Sequence, residues 1–144
     1  MKVLVDTSVF VAASLNFHQD HTRATTFLHK IRTGNIEGFV AAHSLVETYA
    51  TLTRMPIRPR ITASGASHLI KRNILDVCKI VTLSQDDYLQ LIEHLVSNEL
   101  VGGVSYDAII GFTAVKEAVD AIATFNTQDF QRIFPLMPFT IYNL

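Results

Sequence analysis

Three carboxylates stand at positions in the sequence where a surface charge is not expected. Asp6 directly follows the apolar segment 2–5, which has the composition of a short strand buried on both faces. Glu47 and Asp107 lie in two later helical segments, SLVETY and YDAII. Open α/β folds place their ligands at the carboxyl ends of parallel strands, so we expect these acids to meet at one sheet edge. Carboxylates gathered in this way repel each other unless a cation lies between them.

A fourth polar group follows the predicted strand over 121–124. Either Asn126 or Asp129 can supply it. Asp107 shares its helix face with the small residues Gly111 and Ala114, from which we expect open volume in front of the carboxylate.

The residue types restrict the chemistry of such a site. An all-oxygen ligand set without Cys or His favours Mg²⁺ or Mn²⁺ over Zn²⁺. Metals held in this way activate water and stabilise the oxygens of an in-line phosphoryl displacement, so the substrate is a phosphodiester or another phosphate ester. The pair Gly102 and Gly103 has neither the spacing nor the lysine of a phosphate-binding loop, which disfavours ATP-dependent transfer. Among the six histidines only His43 precedes one of the acidic helices, and such a histidine is more often structural.

Each acid also has a simpler explanation by itself. Asp6 or Thr7 can cap the helix that follows the first strand. Glu47 stands three residues after Ser44, as a capping box requires. Asp107 in a first turn complements the helix dipole, and Asp129 can be a solvated turn residue. Convergence in space is therefore what distinguishes a site from four separate caps and turns.

Composition fits a globular protein that forms a single domain over residues 1–144. Hydrophobic residues make up 49% and charged residues 17%, which excludes a disordered chain. The net charge of −1 is not the strongly positive charge that is typical of a general nucleic-acid binder. The acids of a metal site can, however, offset a basic patch in the net charge. The single Cys78 excludes an internal disulfide and a multi-cysteine metal site. Without a signal peptide or a membrane-length apolar run, we expect a cytoplasmic protein with no membrane partner.

Short apolar segments alternate with amphipathic ones along the whole chain. The predicted strands cover 2–5, 37–42, 77–83, 121–124 and 139–142, and the predicted helices cover 8–14, 21–33, 44–54, 62–76, 84–97 and 105 or 106 to 118. This alternation predicts an α/β fold, a three-layer α/β/α sandwich on a mostly parallel sheet.

Four motifs in this order resemble the PIN domain family, and more narrowly the VapC-type toxins of toxin–antitoxin pairs. They are VDTS at 5–8, the isolated Glu47, YDAII at 106–110 and TFNTQDF at 124–130. The resemblance covers essentially the whole chain. It implies a Mg²⁺- or Mn²⁺-dependent endoribonuclease, usually a homodimer, silenced by a cognate antitoxin whose tail enters the acidic site.

The family's acids correspond to Asp6, Glu47 and Asp107, and its hydroxyl beside the first acid corresponds to Ser8, which would orient a ligand or water. Many members carry an acid at the position of Asn126 and a second acid three residues later. Here only Asp129 remains, so Asn126 ligates weakly or through water, Asp129 serves instead, or the site has three acids.

RNA would require cations outside the acidic cluster. Arg54, Arg58 and Arg60 lie at the end of the Glu47 helix and in the proline-containing segment after it. Our hypothesis is that they contact RNA phosphates; ordinary solubilising charge is the alternative.

Two other function classes remain in competition. The first is a PIN-like binding module with weak or no catalysis, acting through antitoxin or assembly contacts, and the missing acid at Asn126 motivates it. The second is a phosphotransfer receiver domain, which is disfavoured because the strand over 77–83 ends in Ser84 and not in an aspartate. The apolar residues of the helices over 62–76 and 84–97 suffice for a core face and for a dimer interface.

Overall fold

Five short strands form one sheet in the computed structural model, which describes residues 1–144. The strands are β1 (Lys2–Val5), β2 (Glu37–Ala41), β3 (Lys79–Val81), β4 (Ala121–Ala123) and β5 (Thr140–Tyr142). Their order is β3-β2-β1-β4-β5, and every neighbouring pair is parallel. The predicted sandwich on a mostly parallel sheet is confirmed, and the sheet is parallel throughout.

Seven α-helices connect and cover these strands. They are α1 (Thr7–Ser14), α2 (His21–Arg32), α3 (Ala42–Arg54), α4 (Ala63–Ile70), α5 (Gln85–Ser97), α6 (Val104–Lys116) and α7 (Thr127–Ile133), and α4 continues into a π-helical segment, Lys71–Leu75. None of the helices combines the length and the apolar character that a membrane span requires.

The central strand β1 shows why the chain forms three layers. Val3 and Val5 belong to a core cluster that contains Phe10 of α1 and Phe27 of α2. Leu4, which points to the other face, belongs to a second cluster with Ile110 of α6. All three β1 side chains are fully buried, so an uninterrupted apolar run is what this strand requires.

The parallel register brings the ends of β1 and β4 together. Val5 pairs with Ala123, and the Asp6 amide donates a hydrogen bond of 3.0 Å to the Ala123 carbonyl oxygen. Asp6 and Thr124 therefore leave the sheet side by side at its carboxyl edge.

Two of the predicted helix starts are confirmed and one is wrong. Ser84 and Asp87 form a capping box at α5, and the Thr62 side chain accepts a hydrogen bond from the Gly65 amide at α4. Helix α3, however, begins at Ala42, directly after β2, so Ser44 lies inside the helix with its hydroxyl buried and unpartnered. The capping-box explanation for Glu47 is therefore excluded.

Several other predicted boundaries differ by one to a few residues, and three of these differences change an element. Helix α6 begins at Val104, β3 is shorter than predicted, and the helix over 62–76 divides into α4 and the π-helical segment.

Gly111 allows helix α6, which carries Asp107, to approach Phe134. A Cβ atom at Gly111 would lie 2.1 Å from Cε2 of Phe134, so the aromatic ring fills the space at this glycine. The open volume expected in front of the Asp107 carboxylate is present, because Asp107 lines a cleft. The Phe134 ring is itself packed against His94 and Phe139, with ring centroids 5.3 and 5.6 Å away.

We expect Gly111→Ala to destabilise the protein by about 1–3 kcal/mol, because an added methyl group must displace a packed ring. Urea unfolding measures the effect. Gly103→Ala is the matched control, since Gly103 has helical backbone angles and open space at its Cβ position. Equal stabilities of the two variants would show that the ring moves freely.

Candidate active site

An acidic cleft of about 760 Å³ opens at the carboxyl edge of the sheet. Three of the predicted acids, Asp6, Glu47 and Asp107, line it together with Ser8 and Asn126. They come from the end of β1, from α3 and from the first turn of α6. The structure thus brings together side chains that are widely separated in sequence, as the sequence predicted.

Asp6 is held by hydroxyl groups rather than by the helix that it precedes. It occupies the position before α1, but its side chain makes no capping hydrogen bond. Its Oδ2 accepts hydrogen bonds from Ser8 Oγ at 2.6 Å and from Thr124 Oγ1 at 2.8 Å. The capping explanation for this carboxylate is therefore wrong.

Burial dominates the electrostatics of Asp6. Only 2% of the residue is exposed, and desolvation raises the pKa of its carboxyl group. The hydrogen bonds from Ser8 and Thr124 oppose that rise, whereas the negative charge of Glu47 adds to it. The chain thus holds a carboxylate where its charged form is disfavoured, as occurs at functional sites.

Asp107 shows the same conflict. Desolvation, followed by the charges of Asp6, Asp129 and Glu47, raises the pKa of its carboxyl group to about 7. The Asp107 carboxylate makes no hydrogen bond or salt bridge within the protein that would offset these effects. The mutual repulsion of these carboxylates is what a bound cation would relieve.

Glu47 is oriented from two sides. Its Oε2 accepts a 2.8 Å hydrogen bond from Thr7 Oγ1, and His43 Nε2 lies 3.9 Å from the same oxygen. The His43 ring stacks on Tyr106 with 5.2 Å between ring centroids, which places the histidine between the two acidic helices. His43 therefore has a structural contact beside Glu47.

Backbone amides extend this network into the segment after β4. Ser8 Oγ accepts a hydrogen bond from the Phe125 amide at 3.1 Å, and Thr124 Oγ1 accepts one from the Asn126 amide at 2.9 Å. Each hydroxyl therefore links Asp6 to the loop that leads into α7. Ser8 was predicted to orient a ligand or water; in the structure it orients Asp6.

The two candidates for the fourth ligand lie in different places. Asn126 is exposed and lines the cleft, and its side chain caps no helix. Asp129 is half-buried in the first turn of α7 and does not line the cleft, although its charge acts on Asp107.

The arginines predicted to meet RNA do not reach this cleft. Arg54, Arg58 and Arg60 are exposed, and none of them lines it. The cleft contains a different arginine, Arg23 of α2, paired with Asp20.

Sequence reasoning also missed Thr7 and Thr124, which donate to the acids. The available signal was that each of them follows an apolar strand, as Asp6 does. A role for Thr124 additionally depends on β4 lying next to β1, which the local sequence does not specify.

The donor set fits Mg²⁺ or Mn²⁺ in chemical type and in charge. Asp6, Glu47 and Asp107 are oxygen donors that line one cleft, and the charges of Asp6, Asp129 and Glu47 add to the desolvation that raises the pKa of Asp107. No three Asp, Glu, His or Cys side chains are grouped closely enough to hold an ion as they stand. One ion bound by all three carboxylates would therefore require these side chains to rotate towards each other.

Comparison with known proteins identifies the family. The PIN domain model matches residues 3–134. Ribonuclease VapC40 of Mycobacterium tuberculosis is 38% identical over 109 residues, covering 76% of this chain and 75% of that protein. Ribonuclease VapC27 of the same species is 27% identical over 117 residues, covering 81% of this chain and 79% of its own.

Solved structures show the same fold at lower identity. M. tuberculosis VapC20, a Sarcin-Ricin loop cleaving toxin, superposes with a TM-score of 0.70 at 19% identity, covering 89% of this chain and 92% of that one. The structure of VapBC2 from Rickettsia felis bound to a promoter DNA fragment gives 0.68 at 18% identity, covering 99% and 98%. FitAcB from Neisseria gonorrhoeae gives 0.64 at 16% identity, covering 98% and 96%. The chain belongs to the PIN domain family, within which its relatives are the VapC ribonucleases.

Proposed function

We propose that this protein is a Mg²⁺- or Mn²⁺-dependent endoribonuclease that acts as the toxin of a toxin–antitoxin pair. The observation that carries the proposal is the meeting of Asp6, Glu47 and Asp107 in one cleft. The 38% identity to Ribonuclease VapC40 supports RNA as the substrate.

Asp6, Glu47 and Asp107 would hold the metal, with Asn126 or Asp129 completing the ligand set. A divalent ion held there would supply activation of a water molecule and stabilisation of charge on the phosphodiester oxygens. The chain's own hydroxyl groups orient the ligands: Ser8 and Thr124 fix Asp6, and Thr7 fixes Glu47.

Cleavage of a panel of single-stranded and structured RNAs tests this function. We expect cleavage with Mg²⁺ or Mn²⁺, loss of cleavage with excess chelator, and recovery when the metal is added back. Cleavage that persists at full rate in chelator would refute the metal-dependent mechanism. Stoichiometric Mn²⁺ binding without cleavage of any RNA would instead favour a PIN-like binding module. The asparagine at position 126, where many family members have an acid, is the reason for considering that alternative.

We expect Thr124→Val to lower the rate of RNA cleavage by about 10–100-fold, the usual effect of losing a group that orients a metal ligand. Valine keeps the shape of threonine but donates no hydrogen bond to Asp6. Thr51→Val is the control, since Thr51 lines the same cleft and makes no side-chain hydrogen bond. Steady-state kinetics measures the cleavage rates of both variants. Equal rates would show that the Thr124 hydroxyl does not contribute to cleavage.

An antitoxin is the protein partner that this proposal requires. Structural neighbours include VapBC and FitAB assemblies, which supports a partner on the same fold. A negatively charged cleft suits the cationic part of such a partner. Suppression of RNA cleavage by the co-purified partner would test this assignment.

The homodimer implied by the family is supported by an exposed apolar stripe on α5. It consists of Tyr88, Leu89, Ile92 and Val96, which are 42–72% exposed. We expect Ile92→Asp to convert a dimer into a monomer in light scattering, because a charge cannot be buried at such an interface without a partner. Gln90→Asp is the control on the same helix. A wild-type monomer would refute the dimer.

A further inference from the structure

Arg23 is the one arginine or lysine whose side chain lines the acidic cleft. It lies in the first turn of α2, and 54% of its side chain is exposed. The carboxylates that line the same cleft are Asp6, Asp20, Glu47 and Asp107. Among the side chains that line the cleft, Arg23 is the permanent positive charge that a phosphate of a polyanionic strand would meet.

The guanidinium of Arg23 is fixed in orientation. Its Nη1 donates to Asp20 Oδ1 at 2.7 Å, and its Nε and Nη2 donate to the main-chain oxygen of Leu144, the last residue, at 3.3 and 3.0 Å. Its carbon Cζ lies 5.2 Å from the centroid of the Phe125 ring. A cation held against an aromatic face loses little entropy when it binds a further group.

Two N–H groups of this guanidinium have no partner in the protein. Arginine carries five N–H donors, and three of them are used by Asp20 and Leu144. The unused donors sit on Nη1 and Nη2, the pair that forms the fork with which arginine grips phosphate oxygens.

Phe125 joins this fork to the acidic network. Its amide donates to Ser8 Oγ, and the same hydroxyl donates to Asp6 Oδ2. Arg23 is therefore connected through one ring and one hydroxyl to the carboxylate at the centre of the site.

Building on the proposed ribonuclease function, we propose that Arg23 binds a backbone phosphate of the RNA adjacent to the scissile one, with Phe125 as the surface that holds the guanidinium in place. Asp20 pairs with the guanidinium and competes with the phosphate for it. Arg54, Arg58 and Arg60, which lie outside the cleft, are not required for this contact.

Binding of a fluorescent single-stranded RNA, measured at several salt concentrations, tests the proposal. All proteins carry Asp107→Asn so that the RNA stays intact. We expect Arg23→Ala to weaken binding by about tenfold and to reduce the slope of log affinity against log salt by about 0.7, the contribution of one phosphate contact to a single strand. Arg23→Lys is expected to recover the slope and only part of the affinity.

Two further variants separate phosphate binding from a structural role. Asp20→Asn should strengthen RNA binding, because it frees the guanidinium. If the Arg23–Asp20 pair were only structural, Arg23→Ala and Asp20→Asn would both weaken RNA binding. Arg32→Ala is the matched control: Arg32 lies at the other end of α2 and donates to a backbone carbonyl outside the cleft.

The outcomes distinguish this inference from the function on which it rests. If the protein with Arg23 intact binds RNA, and Arg23→Ala binds it with the same affinity and salt slope, the inference is overturned and the ribonuclease proposal stands. If the wild-type protein neither binds nor cleaves RNA, both are overturned.

Discussion

Replacing Asp6 with asparagine is expected to lower RNA cleavage by on the order of 10³-fold while raising the melting temperature of the protein. The activity falls because the central charged ligand is lost from a site built to stabilise charge. The stability rises because burial raises the pKa of Asp6, so its ionised form opposes folding at neutral pH. Asparagine fills the same space and can still pair with the hydroxyls of Ser8 and Thr124.

Calorimetry and cleavage kinetics on the same preparation measure both effects. A gain of about 2–4 °C would correspond to ~1 kcal/mol for a chain of this size. Asp86→Asn is the control, because Asp86 is an exposed acid in the first turn of α5, far in sequence from the cleft, and neither quantity should change. Normal cleavage by the Asp6 variant, or a large loss of stability, would contradict the assignment of Asp6 as a strained metal ligand.

The second large effect concerns pH. Because the pKa of Asp107 is raised to about 7 from 3.8, the folded protein keeps this proton where the unfolded chain has lost it. The stabilisation that this proton gives is fully present below about pH 4 and is lost as the pH rises through 7. A divalent ion needs the deprotonated carboxylate, so metal affinity should rise over the same interval.

Calorimetric titration with Mn²⁺ at several pH values tests this coupling. Below pH 7 the affinity of the wild-type protein should fall by up to tenfold per pH unit through Asp107. Asp107→Asn should bind Mn²⁺ weakly and lack this component of the pH dependence. An identical pH dependence in the two proteins would show that Asp107 does not control metal binding.

The gathering of the acids could be predicted from sequence because it follows from a few strong signals. The apolar run of β1 indicated a strand buried on both faces, and Asp6 directly follows it. Parallel strands place their carboxyl ends at one edge, so the position of each acid after a strand or early in a helix was sufficient.

The interactions that hold the acids in place could not be predicted in the same way. Thr124 meets Asp6 because β4 lies beside β1, and strand order is a property of the whole sheet. The open volume predicted in front of Asp107 is present, but the sequence did not indicate that Phe134, from a segment after α7, fills the space at Gly111. Arg23 was missed for the same reason, since α2 carries no motif and its cation reaches the cleft only through the fold.

Ser44 shows a different kind of failure. Its spacing from Glu47 matched a capping box, yet β2 runs directly into α3 at Ala42 and buries Ser44 within the helix. The local spacing predicted a helix start at Ser44, but the direct connection of β2 to α3 places the start at Ala42.

We propose that Asp6, Glu47 and Asp107 turn towards one divalent ion when it binds. Anomalous scattering from a crystal soaked in Mn²⁺ at a pH above 8 tests it most directly. We predict an anomalous peak within about 2.0–2.3 Å of oxygen atoms of all three side chains, and no peak in crystals of Asp6→Asn. Ordered carboxylates that stay apart, with Mn²⁺ bound elsewhere on the protein or to only one of them, would contradict the account.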